Sequence, residues 1–368
     1  MPDFIFVAIT HIPPQSNLIM LDSVLKQYNI NETVEVQTLK GGLINSTWKL
    51  IGKNKQYILQ KVNGDIFSSP TDIARNIKSI GDYLHLHDPN YFFVGLLPTI
   101  NGDVVCNMPD NTSYRLFPFV IDSVTYSALN NPQLAYEAAV QFGRFANHLS
   151  HFPVESLHIP LPNFHDLSLR FTQFENALLS GNSERIAEAA ESIAFLKKHS
   201  DIVAVFEGIK QNPNFKIRVM HHDTKVNNVL FDKDNKGLCV IDLDTVMPGY
   251  FMSDVGDMMR TYLSPVSEEE KDFSLIEVRE DYFKAILDGY LSEMKGELSD
   301  DELKHFVYAG KFLIYMQALR FLTDYLQNDT YYGSQYPGHN FIRANNQIVL
   351  LQKLIEKEAA LQDLVRNY

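Results

Sequence analysis

The sequence predicts an α+β fold with two lobes: a small lobe built on an antiparallel sheet, then a larger, mainly helical lobe. Stretches rich in β-branched and aromatic residues, separated by turn signals, fill the first 120 residues. Beyond residue 132 the apolar residues recur with helical spacing, and one β segment at residues 219–246 interrupts them. With 368 residues, the chain is long enough for each lobe to have its own core.

Residues 1–19 are expected to form a loose, disordered leader. The short apolar run at residues 4–10 follows Asp3 instead of a basic segment and lacks a small-residue cleavage site, which disfavours a signal peptide. No apolar run approaches the about 20 residues of a membrane span. Cys106 and Cys239 form no spaced framework, so we expect two reduced thiols and a cytoplasmic protein.

The small lobe is predicted to span residues 20–118. Strands are expected at residues 34–40, 45–51 and 55–62, because turn signals at Gly41-Gly42 and Gly52 separate them. A helix over residues 71–86 should follow the Ser-Pro-Thr-Asp sequence. Further strands are expected at residues 92–99, 103–107 and 113–120.

The large lobe is predicted to span residues 119–368. Its helices are expected at residues 132–151, 163–180, 183–210, 268–294, 300–327 and 339–366. The net charge of −13 opposes contact with phosphate backbones and anionic lipid, so nucleic-acid and membrane partners are not expected. An anionic substrate would need a local cation or a bound metal.

The β segment of the large lobe carries the strongest chemical signal. Strands at residues 229–231 and 238–243 should form a hairpin around the turn sequence DKDNKG. If the turn is centred near residue 235, Asn228 faces Asp242, and Asp223 lies in the loop five residues before Asn228. An amide oxygen and carboxylates at one strand end suit magnesium, and Asp223 could accept a proton from an attacking hydroxyl. Taken alone, Asp223 and Asn228 also fit a loop-capping pair.

Three segments in this region resemble the aminoglycoside phosphotransferase and choline kinase superfamily. They are HHDTKVNN at residues 221–228, IDLD at residues 241–244 and VGD at residues 255–257, in the order and spacing of that superfamily. The resemblance implies a protein-kinase-like bilobal fold, ATP as co-substrate and Mg²⁺ as metal. It implies that Asp223 is the base, that Lys225 lies beside the moving phosphoryl group, and that Asn228 and Asp242 hold the metal.

The same resemblance implies supporting and nucleotide-binding roles. His221 would brace the loop, Asp254 and Asp257 would begin a helix, and Asp244 would either support the magnesium ligand or serve only as a turn residue. The residues implied at the nucleotide are Gly41, Gly42 and Asn45 in a phosphate-covering turn, Gln60 and Lys61 on a strand, and Phe117 and Phe119 in the connector beside adenine. Gln60 takes the position of the usual lysine, and residues 67–84 contain no glutamate, so the usual lysine–glutamate pair is not expected.

Within the superfamily the chain is most similar to N-acetylhexosamine 1-kinases, through HHDTKVNNVLFD, IDLDTVMPG and LRFLTDYLQNDTYYGSQYPGHN at residues 319–340. This similarity implies that Arg320 and Tyr331 contact a sugar, that Asp223 holds its anomeric hydroxyl, and that Leu43 faces it. Two other interpretations stay open. Arg320 could pair with Asp324 four residues later, and Tyr331 could belong to the core.

The predicted function is an ATP-dependent kinase that phosphorylates the anomeric hydroxyl of an N-acetylhexosamine (GlcNAc or GalNAc). The partners are a small-molecule sugar and a nucleotide, with the protein a monomer or a homodimer. A kinase acting on choline, an amino alcohol or an aminoglycoside is the first alternative. A kinase-like protein that binds nucleotide without catalysis is the second.

Overall fold

The computed structural model of the protein describes residues 15–32, 34–39, 45–67 and 69–368. Gly41, Gly42 and Leu43, predicted to lie at the phosphates and the sugar, fall outside the described residues, as do residues 1–14 of the predicted leader. The chain divides into two compact units. The sheet unit takes the described residues of Met1–Val124, Glu155–Leu161 and Cys239–Met247, and the helical unit takes Thr125–Val154, Pro162–Leu238 and Pro248–Tyr368.

The sheet unit is built on five antiparallel strands in the order β1-β2-β3-β5-β4. The strands are β1 (Glu35–Leu39), β2 (Ser46–Ile51), β3 (Gln56–Val62), β4 (Cys106–Asn107) and β5 (Ser113–Pro118). Two helices complete the unit, α1 (Gln15–Gln27) and α2 (Pro70–His87). Pro70 stands at the start of α2, where a residue without an N–H fits.

An apolar cluster joins the end of α1 to one face of this sheet. Val24 and Leu25 of α1 pack with Leu50, Leu59 and Leu116 from three neighbouring strands, and all five are buried. Because strand side chains alternate between faces, residues adjacent to this cluster along β3 and β5 point to the other face. Gln60 and Arg115, which stand opposite each other in the β3–β5 register, are such residues.

The helical unit contains the remaining helices. They are α3 (Pro132–His148), α4 (Leu167–Ser180), α5 (Ser183–Glu188), α6 (Ala190–Lys198), α7 (Asp201–Gln211), α8 (Phe251–Tyr262), α9 (Glu280–Met294), α10 (Asp300–Lys304), α11 (Phe306–Leu326) and α12 (His339–Arg366). Helix α11 is buried along most of its length and packs against α4, α8 and α12, while α3 packs against α9. Two short sheets pair β6 (Arg218–Met220) with β9 (Met247–Gly249) and β7 (Val229–Phe231) with β8 (Gly237–Val240).

The predicted combination of an antiparallel sheet with a larger helical region is confirmed. The boundary between residues 118 and 119 stays a prediction. The strand predicted at residues 92–99 is wrong, since Leu97 makes only one bridge, to Leu116, and Pro98 cannot donate to a ladder. The helix predicted at residues 183–210 is three helices, and the one predicted from residue 268 begins at Glu280. Helix α1 begins at Gln15, inside the predicted leader.

Two helical glycines differ in what surrounds them, and this difference gives a stability prediction. A Cβ on Gly256 of α8 would lie 2.3 Å from the carbonyl oxygen of Ala309 in α11, whereas a Cβ on Gly208 of α7 would meet nothing within 4 Å. We therefore expect Gly256→Ala to lower the free energy of unfolding by about 1–3 kcal/mol. Gly208→Ala should raise it by about 0.5–1 kcal/mol. Urea unfolding of both variants tests this, and equal effects would contradict the close α8–α11 contact.

Across the part of the chain that the structure describes, no helix is both long enough and apolar enough to cross a membrane.

Candidate active site

The loop at residues 221–228 follows strand β6 and ends in a 3₁₀ turn, Val226–Asn228. It holds Asp223 between two partners from the same loop. The Lys225 ammonium nitrogen lies 2.8 Å from Asp223 Oδ1, and Asn228 Nδ2 donates to Asp223 Oδ2 at 3.0 Å and to its carbonyl oxygen at 2.8 Å. The Asp223 side chain keeps 26% of its surface exposed, so a small acceptor can reach it.

The neighbouring ammonium group determines the charge of Asp223. Desolvation would raise the pKa of Asp223, but attraction to Lys225 and the hydrogen bond from it outweigh this and hold the pKa below its usual value. Desolvation likewise would lower the pKa of Lys225, and the charges of Asp223 and Asp257 reverse that and raise it. Asp223 is therefore an ionised carboxylate at neutral pH, able to accept a hydrogen bond from a hydroxyl.

Two carboxylates of α8 hold the backbone of this loop. Asp254 accepts the backbone N–H groups of His221 at 3.0 Å and His222 at 2.8 Å, and Asp257 accepts that of Thr224 at 2.7 Å. His222 has a left-handed backbone with φ 65°, a conformation that the two hydrogen bonds to Asp254 help to hold. Instead of capping α8 as the sequence suggests, Asp254 and Asp257 hold the loop at residues 221–228 from outside it.

The burial of Asp254 predicts a pH effect on stability. Desolvation raises its pKa to about 7, although the N–H groups of His221 and His222 act in the opposite direction. In the unfolded chain the same carboxyl group ionises at about pH 4. Between that pH and the folded-state pKa, the folded state binds more protons than the unfolded state. Stability should therefore fall as pH rises from about 4 to about 7, by at most about 1.4 kcal/mol per pH unit from this group.

Replacing Asp254 by asparagine removes the titrating group, so the unfolding free energy of Asp254→Asn should depend less on pH in that window. Urea unfolding of the wild type and the variant across the window measures both slopes. Parallel slopes would contradict the raised pKa.

The candidate metal motif follows strand β8. Asp242 lies two residues past the end of that strand, in a left-handed conformation with φ 60°, and a 3₁₀ turn, Leu243–Thr245, follows it. The hairpin turn closes through Asp232 N–H donating to the Lys236 carbonyl at 2.9 Å. The turn is therefore centred at residue 234 rather than 235. The prediction that Asn228 stands opposite Asp242 required a centre at residue 235, so this pairing does not follow from the observed turn.

The donor types present fit magnesium. Both hydrogen bonds from the Asn228 side chain use its nitrogen, so neither uses the amide oxygen, and Asp242 supplies a carboxylate. Among the described residues, no group of three or more His, Cys, Asp or Glu side chains could hold a metal ion. Magnesium binds through one or two protein oxygens plus water and phosphate, and each of these side chains is of a type that suits it.

The predicted nucleotide residues lie in the sheet unit. Gln60 accepts a hydrogen bond from Arg115 Nε at 2.9 Å, and Asn45 donates to Asp244 Oδ2 at 2.8 Å. Lys61 stands opposite Tyr114 in the register. In the connector, Phe119 donates its N–H to the Gln56 carbonyl at 3.0 Å. The Lys49 ammonium lies over the Phe119 ring, 3.7 Å from its centre. The Arg115 guanidinium lies over the ring of Phe117. The Phe119 N–H is therefore not free for adenine.

Arg320 on α11 faces three aromatic rings. Its guanidinium carbon lies 5.4 Å from the ring centres of Phe164 and Tyr332 and 5.9 Å from that of Tyr331. The described residues place no carboxylate within ion-pair distance of it, and Asp324 instead accepts the N–H groups of Tyr331 and Tyr332. The alternative ion pair with Asp324 is therefore wrong. Tyr331 is 72% exposed, so it is not a core residue.

Several residues that surround the predicted site residues have no role predicted from the sequence. Arg260 pairs with Asp257 at 2.8 Å, and the Tyr262 hydroxyl donates to the Thr224 carbonyl at 2.6 Å. Arg115 is buried in the sheet unit and its Nη1 lies 2.5 Å from Asp244 Oδ1. A charged residue inside the apolar strand sequence YRLFPF was the one signal available for Arg115, because a buried charge requires a partner.

Comparison with known proteins gives one family match. The profile of the phosphotransferase enzyme family (APH) matches residues 35–294 of the chain.

Solved structures with the same fold include kinases of small molecules. A microcompartment-associated aminopropanol kinase has a TM-score of 0.63 at 16% identity, over 94% of this chain and 98% of that one. Amicoumacin kinase, in complex with AMP-PNP, Ca²⁺ and Ami, has a TM-score of 0.62 at 14% identity, over 92% and 94% of the two chains. Ethanolamine kinase from Plasmodium vivax has a TM-score of 0.55 at 15% identity, over 93% and 90%.

Proposed function

Because the chain belongs to the phosphotransferase enzyme family, we propose that it transfers the γ-phosphoryl group of MgATP to the anomeric hydroxyl of an N-acetylhexosamine, GlcNAc or GalNAc. The product is the sugar 1-phosphate. Transfer to a hydroxyl-bearing small molecule agrees with the family, whereas the N-acetylhexosamine acceptor is the specific part of the proposal.

Asp223 accepts the proton of the acceptor hydroxyl in this proposal. Lys225 holds one of its carboxylate oxygens and Asn228 the other, so the carboxylate has a fixed direction before the acceptor arrives. Such positioning accounts for most of the protein's part in phosphoryl transfer. Asn228 and Asp242 would hold magnesium, which when bound neutralises charge on the phosphate oxygens.

The observation that carries the choice of acceptor is the environment of Arg320. Its guanidinium lies among the rings of Phe164, Tyr331 and Tyr332, with no carboxylate of the described residues within ion-pair distance. A guanidinium offers several N–H donors in one plane, which suits hydroxyl and carbonyl oxygens. The exposed ring of Tyr331 gives an apolar face for a sugar or an acetyl methyl group.

The same environment disfavours a cationic acceptor. A choline or aminoglycoside site needs aromatic faces or carboxylates directed at the ligand's positive charge. Here the Arg320 guanidinium lies among the same rings, and its positive charge would repel an ammonium group. The binding-only alternative is also less favoured, because Asp223, Asn228 and Asp242 are all present.

An ADP-release assay with MgATP and a panel of acceptors tests the proposal. The panel contains GlcNAc, GalNAc, glucose, galactose, choline, ethanolamine and an aminoglycoside. We expect turnover with one or both N-acetylhexosamines and little with the amines. Turnover confined to an amine would keep the family and overturn the acceptor. Nucleotide binding without turnover on any acceptor would favour the binding-only alternative.

Arg320→Gln should separate acceptor binding from chemistry. Losing hydrogen bonds from a charged donor should raise KM for the N-acetylhexosamine about tenfold or more, with a smaller change in kcat. Arg366→Gln, on the exposed end of α12, is the matched control and should leave both constants unchanged. An unchanged KM in Arg320→Gln would remove Arg320 from the acceptor site.

A further inference from the structure

Arg115 is a buried cation in a strand that has no other charged residue. It is 1% exposed, and its Nε donates to Gln60 Oε1 on the neighbouring strand. Its Nη1 lies 2.5 Å from Asp244 Oδ1, and both side chains of this pair are almost fully enclosed. A buried guanidinium is stable only with such a partner, so Arg115 and Asp244 depend on each other.

The second oxygen of Asp244 extends this contact to another part of the sheet unit. Asp244 Oδ2 accepts Asn45 Nδ2 at 2.8 Å, and Asn45 Oδ1 accepts the backbone N–H of Asn63 at 3.0 Å. Asn45 directly precedes strand β2, and Asp244 stands two residues after Asp242. We call Asn45, Gln60, Arg115 and Asp244 the Arg115 clamp.

The clamp provides a buried cation–carboxylate pair in a unit whose sequence lacks the usual one. By the superfamily resemblance Gln60 takes the position of the strand lysine, and helix α2 contains no glutamate. Gln60 and Arg115 stand directly opposite each other on adjacent strands. The buried positive charge therefore lies on β5, opposite Gln60 of β3, and its acidic partner comes from the segment after β8 rather than from α2.

We propose that the Arg115–Asp244 pair is the charge pair that orders the nucleotide side of this protein, by tying the loop that carries Asp242 to Asn45, just before the start of strand β2. The inference rests on the proposed MgATP-dependent function. Arg115 itself is too buried to reach a ligand, so it acts through Asp244 as a positioning residue. The Asp244 carboxylate binds both Arg115 and Asn45. Of the two roles left open by the sequence, Asp244 therefore holds the loop that carries Asp242 and is more than a turn residue.

Nucleotide binding without an acceptor tests the clamp. Isothermal titration would measure the affinity of the wild type, Arg115→Gln, Asp244→Asn and the double variant for MgATP and for adenosine. Partners that orient a metal ligand typically contribute about 10–100-fold to metal affinity, so each single variant should bind MgATP about 10–100-fold more weakly. The double variant should be no weaker than the weaker single variant, and adenosine affinity should stay unchanged.

Three results would overturn the inference: unchanged MgATP affinity, equal losses for MgATP and adenosine, or a double variant whose loss is the product of the two single losses. Arg75→Gln, which removes an exposed cation from α2, is the matched control and should bind both ligands normally. Failure of the wild type to bind MgATP would instead reject the proposed function, so the two failures are distinguishable.

Removing one partner of a buried ion pair lowers stability, so Arg115→Gln and Asp244→Asn could fail to fold. A further variant tests the inference without breaking that pair. Asn45→Ala removes the link to Asp244 from a partly buried position and leaves the Arg115–Asp244 pair intact. It should weaken MgATP binding about tenfold or more without affecting adenosine. Wild-type MgATP affinity in this variant would also overturn the inference.

Discussion

Replacing Asp223 by asparagine should lower kcat by about 10²–10⁴-fold, the usual contribution of a positioned general base. Asparagine keeps the size of the side chain and can still contact Lys225 and Asn228, but it cannot accept the proton of the acceptor hydroxyl. The carboxylate is ionised in the wild type because Lys225 lowers its pKa. Steady-state kinetics with MgATP and GlcNAc measure the effect.

Two controls make that result specific. MgATP affinity should remain close to that of the wild type, because the change affects the base and not the predicted metal ligands. Asp281→Asn, at the exposed start of α9, should retain full activity. If Asp223→Asn keeps more than about a tenth of the wild-type rate, Asp223 is not the base.

Breaking the ion pair between Arg218 and Glu302 should give the largest loss of stability. Arg218, at the start of β6, lies 2.6 Å from Glu302 in α10 through Nη1 and 3.0 Å through Nη2, and both side chains are almost fully buried. Arg218→Met leaves the Glu302 carboxylate buried without its cation, so the unfolding free energy should fall by about 3–5 kcal/mol. Urea unfolding measures the change.

The exposed pair Lys284–Asp288 on α9 provides the comparison, with side-chain exposures of 58% and 31%. Lys284→Met should change the unfolding free energy by only about 0–1 kcal/mol. If Arg218→Met lowers the unfolding free energy by as little as this, Arg218 does not anchor β6, the strand that precedes the loop at residues 221–228.

Periodicity was sufficient to predict the elements whose pattern is local. The first three strands were predicted to within one residue of β1, β2 and β3, and α2 to within one residue at each end. The superfamily resemblance drawn from the segments HHDTKVNN, IDLD and VGD is confirmed by the family match. The N-acetylhexosamine acceptor stays a prediction.

Contacts between residues distant in sequence account for most of what was missed. Asp254 stands in the first turn of α8, where a local interpretation predicts a cap, but its carboxylate is used by the loop that begins at His221. No role was predicted for Arg115 from the sequence, because nothing near it in sequence indicates Asp244 as its partner. The aromatic neighbours of Arg320 come from two separate segments, one holding Phe164 and the other Tyr331-Tyr332.

One measurement distinguishes transfer to the anomeric hydroxyl from transfer to another position of the sugar. Phosphorus NMR would follow MgATP with GlcNAc or GalNAc, and in parallel with the methyl glycoside of each sugar, which keeps the acetamido group but lacks a free anomeric hydroxyl. The proposal predicts a sugar 1-phosphate signal, coupled to the anomeric proton, from a free sugar and none from its glycoside. Phosphorylation of the glycoside, or a phosphate at another carbon of the free sugar, would contradict it.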